Sequence, residues 1–115
     1  MNPMTVLMVT ALMSVMATDA IADASADVAA GKAVYSQTCV ACHGADGTGA
    51  IPGVTDLTKT DGALAKSDEE LIGSITDGFQ SPGAALAMPA KGGNPALTES
   101  DIKTVLAYLR ATFGP

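Results

Sequence analysis

The sequence predicts a small all-α domain, and three observations point there. Ser67-Asp68-Glu69-Glu70 and Thr98-Glu99-Ser100-Asp101 each place a capping hydroxyl three residues ahead of an acid, and each opens onto an apolar stripe at helical spacing. No segment alternates β-branched or aromatic residues with polar ones, as a half-buried strand would. The helices are separated by two long connections, 44–66 and 81–97, rich in Gly and Pro. Loops of that length inside a compact domain usually serve a function.

The chain has 115 residues, room for one domain. Its beginning differs in composition from the rest, since five of the six Met fall in the first sixteen residues and only Met88 lies beyond. Residues 4–17 are apolar apart from Thr5, Thr10 and Ser14, and two A-x-A patterns follow, Ala20-Ile21-Ala22 and Ala22-Asp23-Ala24. This reads as a secretory signal peptide over residues 1–22, although no Lys or Arg precedes the apolar run. An uncleaved anchor or a buried helix competes with it, but the run falls short of the roughly 20 residues that span a bilayer. The expectation is an exported, periplasmic domain over residues 23–115, tethered to the membrane if the leader is kept.

Six Lys and Arg against twelve Asp and Glu leave a net charge of −6. With no basic run, a nucleic-acid surface is excluded, because phosphate contacts need clustered Lys or Arg. The 93 residues beyond Ala22 hold only eighteen Val, Leu, Ile and Phe, and no Trp. So few large apolar side chains make a thin core for a chain that buries little more than about 60% of its surface. A metal, a large cofactor, disulfides or a partner has to supply the missing apolar volume.

Along the chain, Val28, Gly31 and Tyr35 place a first helix at about 27–38. The second carries Leu71, Ile72, Ile75 and Phe79 on one face. The third carries Ile102, Val105, Leu106 and Leu109 and ends near Gly114-Pro115.

Every Cys and His in the chain falls within Cys39-Val40-Ala41-Cys42-His43. C-x-x-C-H is the attachment signature of a c-type haem. Thiols three apart on a helical turn project to one side and can reach the two vinyl groups of one porphyrin edge, while the following imidazole stands under the iron. Three other readings compete. A disulfide here would close too short a ring to constrain much. A thioredoxin-like redox pair belongs beside a βαβ pattern, which is lacking. Structural zinc needs four N or S ligands, and no further Cys or His exists to complete them. Met88, in Ala87-Met88-Pro89-Ala90, is either a filler of core gaps or a distal iron ligand. The following proline pushes Met88 away from helical angles and into a loop, which favours the ligand.

With these residues in view, the chain resembles the small bacterial monohaem class I cytochromes c over residues 27–113. The likeness is carried by C-x-x-C-H, by Gly31-Lys32-Ala33-Val34-Tyr35 ahead of it, by Met88-Pro89-Ala90-Lys91-Gly92-Gly93-Asn94, and by Val105-Leu106-Ala107-Tyr108-Leu109. The resemblance implies a cytochrome c-like fold, in which three main helices and long loops wrap one covalently attached haem. It implies a close crossing of the first and last helices at Gly31. It also implies thioether bonds from Cys39 and Cys42, iron ligation by His43 and Met88, and a Pro52 carbonyl accepting from the imidazole.

The function so implied is a single-electron carrier, monomeric, shuttling between a redox donor and an acceptor. Two alternatives stand beside it: a haem-based gas sensor, which would need Met88 off the iron, and a subunit held permanently on a periplasmic oxidoreductase. Peroxidase catalysis lacks a second His to act as a distal acid and base.

Overall fold

The computed structural model describes residues 16–114, so most of the predicted leader, residues 1–15, lies outside the described residues. The first helix, α1 (Met16–Val34), does not stop where the apolar spacing ends. It passes through a π-helical turn, Tyr35–Cys39, into a short helix α2 (Val40–His43). The helix expected over 27–38 is therefore extended at both ends, and it terminates at Gly44, whose φ of 82° breaks the helical path. The π turn has a consequence. One extra residue in a helical turn rotates everything after it by about 100° relative to a straight helix. Tyr35 can thus face the core while Cys42 and His43 turn to another side.

The other two helices are α3 (Asp68–Asp77) and α4 (Glu99–Phe113). At α4 both halves of the capping box form: the Asp101 N–H donates to Thr98 Oγ1 (3.1 Å) and the Thr98 N–H donates to Asp101 Oδ2 (3.0 Å). At α3 only the forward half is present among the described residues, with the Glu70 N–H donating to Ser67 Oγ at 3.3 Å. Phe79, counted into the α3 stripe by spacing, lies beyond it. Gly78 turns the chain with φ 86°, and Phe79 then pairs antiparallel with Met88 in an isolated bridge. No longer strand occurs among the described residues.

α1 crosses α4 at Gly31. A Cβ there would lie 1.9 Å from the Thr104 carbonyl oxygen and 2.8 Å from Tyr108 Cβ, so only glycine admits this approach. Beside the crossing, Tyr35, Tyr108 and Phe113 form a mutually tilted trio with centroids 5.3 to 6.0 Å apart. The stripe Ile102, Val105, Leu106 and Leu109 is buried as its spacing predicts, and Leu57, Leu64 and Leu71 complete the core around it. Arg110, the chain's single Arg, ties the segment before α3 to α4. Its Nη1 and Nη2 donate to the Leu64 and Lys66 carbonyls at 2.8 and 2.9 Å, and its Nε donates to Asp68 at 2.7 Å.

Candidate haem site

Between these helices lies a cleft of about 560 Å³. Cys39, Cys42 and His43 line it from the π turn and α2, and Met88 lines it from the segment after α3. The four residues singled out in the sequence are thus brought to one space by two distant parts of the chain.

The C-x-x-C-H segment is held from behind. The loop after Gly44 folds back so that the Gly49 N–H donates to the His43 carbonyl and the Ala50 N–H to the Cys42 carbonyl, each at 2.8 Å. These amides satisfy carbonyls that a helix end leaves open. The Tyr35 hydroxyl donates to the Gly44 carbonyl. Burial pushes the Tyr35 pKa up to about 12, so it remains a donor at neutral pH. Two Asp-based turns order the rest of this loop. Asp46 Oδ1 accepts from the Thr48 hydroxyl and Asp56 Oδ1 from the Thr58 hydroxyl, and these bonds hold both carboxyls below their ordinary pKa.

Burial pushes the Cys39 thiol up to about 11, with the Cys42 thiol adding to the rise. A dithiol working by thiolate chemistry needs a depressed pKa, so the redox-pair reading loses ground. Among the described residues no three His, Cys, Asp or Glu side chains converge to cage a metal ion, as structural zinc would require.

Burial lowers the pKa of His43, with the Thr55 main chain acting in the opposite direction. His43 Nδ1 is fully enclosed yet finds no partner at hydrogen-bond geometry. The main chain acting on the imidazole is that of Thr55. With Nδ1 enclosed against the protein, Nε2 is the ring nitrogen left free.

Met88 is half-buried, and its main chain is fixed in both directions. Its N–H donates to the Phe79 carbonyl (2.7 Å) and its carbonyl accepts from the Phe79 N–H (3.0 Å). Gly78 makes this possible, because a Cβ there would come within 2.9 Å of the Met88 oxygen. After Pro89 the chain turns through Lys91, the one described non-glycine residue at positive φ (55°). Gly92 then packs against Thr38, and Asn94 Nδ2 donates to Thr38 Oγ1 at 3.3 Å. The Met88 segment is thereby fastened beside the C-x-x-C-H turn.

The cleft fits a haem on the chain's own terms. Of the nine buried apolar residues among those described, eight line it, Ile102 being the exception. The core is the wall of the cleft.

Sequence reasoning did not find Thr55, Phe79, Lys66 or Arg110. Only Arg110 carried a signal, as the chain's one guanidinium, placed on the polar edge of an apolar helix.

A small helical domain that turns two thiols, an imidazole and a thioether into one apolar cleft defines the class: a protein built around covalent haem. Comparison with known proteins narrows it. The family model described as cytochrome c oxidase, cbb3-type, subunit III matches residues 26–109. Cytochrome c-555 of Chlorobaculum thiosulfatiphilum is 37% identical over 83 residues, covering 72% of this chain and 93% of the relative. Cytochrome c-554(548) of Halomonas halodenitrificans is 41% identical over 83 residues (71% and 92%). Cytochrome c6 of a Picosynechococcus species is 36% identical over 94 residues (74% and 73%). The chain belongs to the cytochrome c family of small monohaem class I proteins. With the family come a covalently attached c-type haem, its iron, and a role in electron transport.

Proposed function

We propose that this chain is a one-electron carrier whose haem is bonded through Cys39 and Cys42 and ligated by His43 on one face and Met88 on the other. The observation that most supports this is the convergence of those four side chains on one cleft walled by the apolar core. Bound haem supplies the one-electron couple of its iron.

The protein holds and shields. Cys39 and Cys42 would hold one edge of the group, and burial of the Nδ1 side of His43 restricts the imidazole. Met88 offers a neutral thioether, and Met/His ligation raises the reduction potential relative to harder donors. With His43 and Met88 both holding the iron, the group would keep no open site for oxygen or a substrate. His43 is the only His in the chain, so no second imidazole is available as a distal acid and base for peroxidase catalysis, and the reading is a carrier rather than an enzyme.

No helix among the described residues is long and apolar enough to cross a membrane. With residues 1–22 as an exported leader, the domain works in the periplasm as a monomer between a redox donor and an acceptor. Its net charge of −5, once Asp19 leaves with the leader, steers encounter toward basic partners. The matched family description favours a second reading, a subunit resident on an oxidase. Against that, the chain spans 93% of the length of the relative cytochrome c-555.

Absorption spectra of protein expressed with c-type maturation test the ligation. A low-spin spectrum, unchanged when carbon monoxide is added to ferrous protein, is the expected result. Met88→Ala should become high-spin and bind carbon monoxide stoichiometrically. Rapid binding by the unaltered protein would overturn the Met88 assignment and move the function toward gas sensing.

A further inference from the structure

The cleft is walled by apolar side chains, yet besides His43 three charged residues line it: Asp61, Lys66 and Lys91. A haem is an apolar disc carrying two carboxylates, and carboxylates drawn out of water need donors or cations. We propose that Lys66 binds a haem propionate. The proposal rests on the haem reading above and adds to it the group that receives the cofactor's charge.

Lys66 is held for this role at both ends. Its carbonyl accepts from Arg110 Nη2 at 2.9 Å and its N–H donates to the Ala63 carbonyl at 3.1 Å, which fixes the root of the side chain. Its ammonium stands 4.2 Å from the centroid of the Phe79 ring, a cation–π contact. Phe79 is itself fixed by its bridge to Met88, so the cation is positioned on a cleft-lining ring tied to the iron-ligand segment.

Lys66 is half-buried, and among the described residues it pairs with no carboxylate. The ion pairs that occur are Lys103 with Glu99 and Arg110 with Asp68. A preorganised, half-buried cation without an anion, in the wall of a site for a dianionic cofactor, is the complement of a propionate. Lys91 is the other cation in the wall, but it sits in a left-handed turn with no contact that fixes its ammonium. Asp61 carries the wrong sign.

The experiment uses matured holoprotein. Lys66→Gln should shift the propionate bending mode in the resonance Raman spectrum, and Lys66→Arg should restore it. Removing one positive charge beside the haem should also move the redox equilibrium about threefold toward the ferric state, about 28 mV at 59 mV per decade. Lys91→Gln serves as the control. It can move the potential, but it should leave the propionate mode in place.

A propionate mode unchanged in Lys66→Gln, or displaced equally by Lys91→Gln, overturns the assignment. If Lys66→Gln does not accumulate, the unaltered protein decides with 15N-labelled lysines. A Lys66 Nζ resonance displaced by ferric iron and slow to exchange its protons supports the contact, and one that coincides with that of exposed Lys103 overturns it. Failure of the haem reading looks different, because no covalent haem would then appear in the unaltered protein's mass.

Discussion

Gly31→Ala tests the frame on which the haem site is built. The added Cβ would fall 1.9 Å from the Thr104 carbonyl oxygen, 2.6 Å from its carbon and 2.8 Å from Tyr108 Cβ. None of these is the far end of a flexible side chain, so relief requires α1 and α4 to separate by about 1.5 Å to reach an ordinary contact. A gap of half an ångström to one ångström already forfeits a quarter to a half of a dispersion well. The contacts stretched are those of Tyr35 with Tyr108 and Phe113 beside the crossing. Overpacking costs about 1–3 kcal/mol, occasionally more, and a clash with main chain belongs at the top of that range or above it. Alanine recovers about 1 kcal/mol through helix propensity.

The net expectation is a loss of about 2–3 kcal/mol, or roughly 10–20 °C in the melting midpoint of a domain this size. Thermal and denaturant unfolding of holoprotein, followed by circular dichroism, measures it. Gly73→Ala is the internal control. It lies within α3 with nothing inside 4 Å of a built Cβ, so the same substitution should stabilise by about 1 kcal/mol. If Gly31→Ala proves neutral or stabilising while Gly73→Ala behaves as stated, the close crossing is wrong.

Two further outcomes follow from the same geometry. Arg110→Ala removes three hydrogen bonds that join α4 to the Leu64–Asp68 segment; two go to carbonyls at part-buried positions, while the third goes to the exposed Asp68 carboxylate and contributes less. It should cost about 1.5–3 kcal/mol by denaturant titration, and a loss below about 0.5 kcal/mol would show the clamp to be idle. The Cys39→Ala, Cys42→Ala double variant without haem should be largely unfolded by circular dichroism, and a cooperative melt would contradict the reading of the core.

The helix starts could be read from the sequence because capping is local. Ser67 and Thr98 each sit at an N-cap, and the stripe behind Thr98 is buried at every position foreseen. Gly31 was legible through the family likeness, and its meaning became physical only when Thr104 was found against it. The π turn had no local mark, since the residues 35–39 read as ordinary helix; the constraint that selects it lies in aiming Tyr35 at α4 and His43 at the cleft. Phe79 misled by its spacing: it falls at a stripe position after Ile75, but Gly78 ends the helix one residue earlier and turns the ring toward the cleft. The roles of Lys66 and Arg110 were hidden for a different reason. Their partners lie on other elements, 44 residues apart in the case of the bond between them, and charge on a helix edge reads as solvation until the facing carbonyls are known.

What joins stability to function is that the core and the site share residues. In a larger protein a cofactor cleft is cut into a domain whose core lies elsewhere; here Tyr35, Leu57, Leu64, Leu71, Leu97, Val105, Leu106 and Leu109 are at once the buried core and the lining. At about 24 cal/mol per Å³, a closed void of about 560 Å³ would cost about 13 kcal/mol. The cleft is open on one side, which lowers that figure, but about a third of it already approaches the lower end of a domain's total stability. A haem disc filling the space therefore contributes to folding as a core side chain would, in a chain with no Trp and two Phe. The same packing would keep water from a haem seated there and limit the rearrangement that an electron's arrival could cause. The thin apolar composition that first marked the chain as needing outside volume and the rigidity that an electron carrier needs thus have one physical cause.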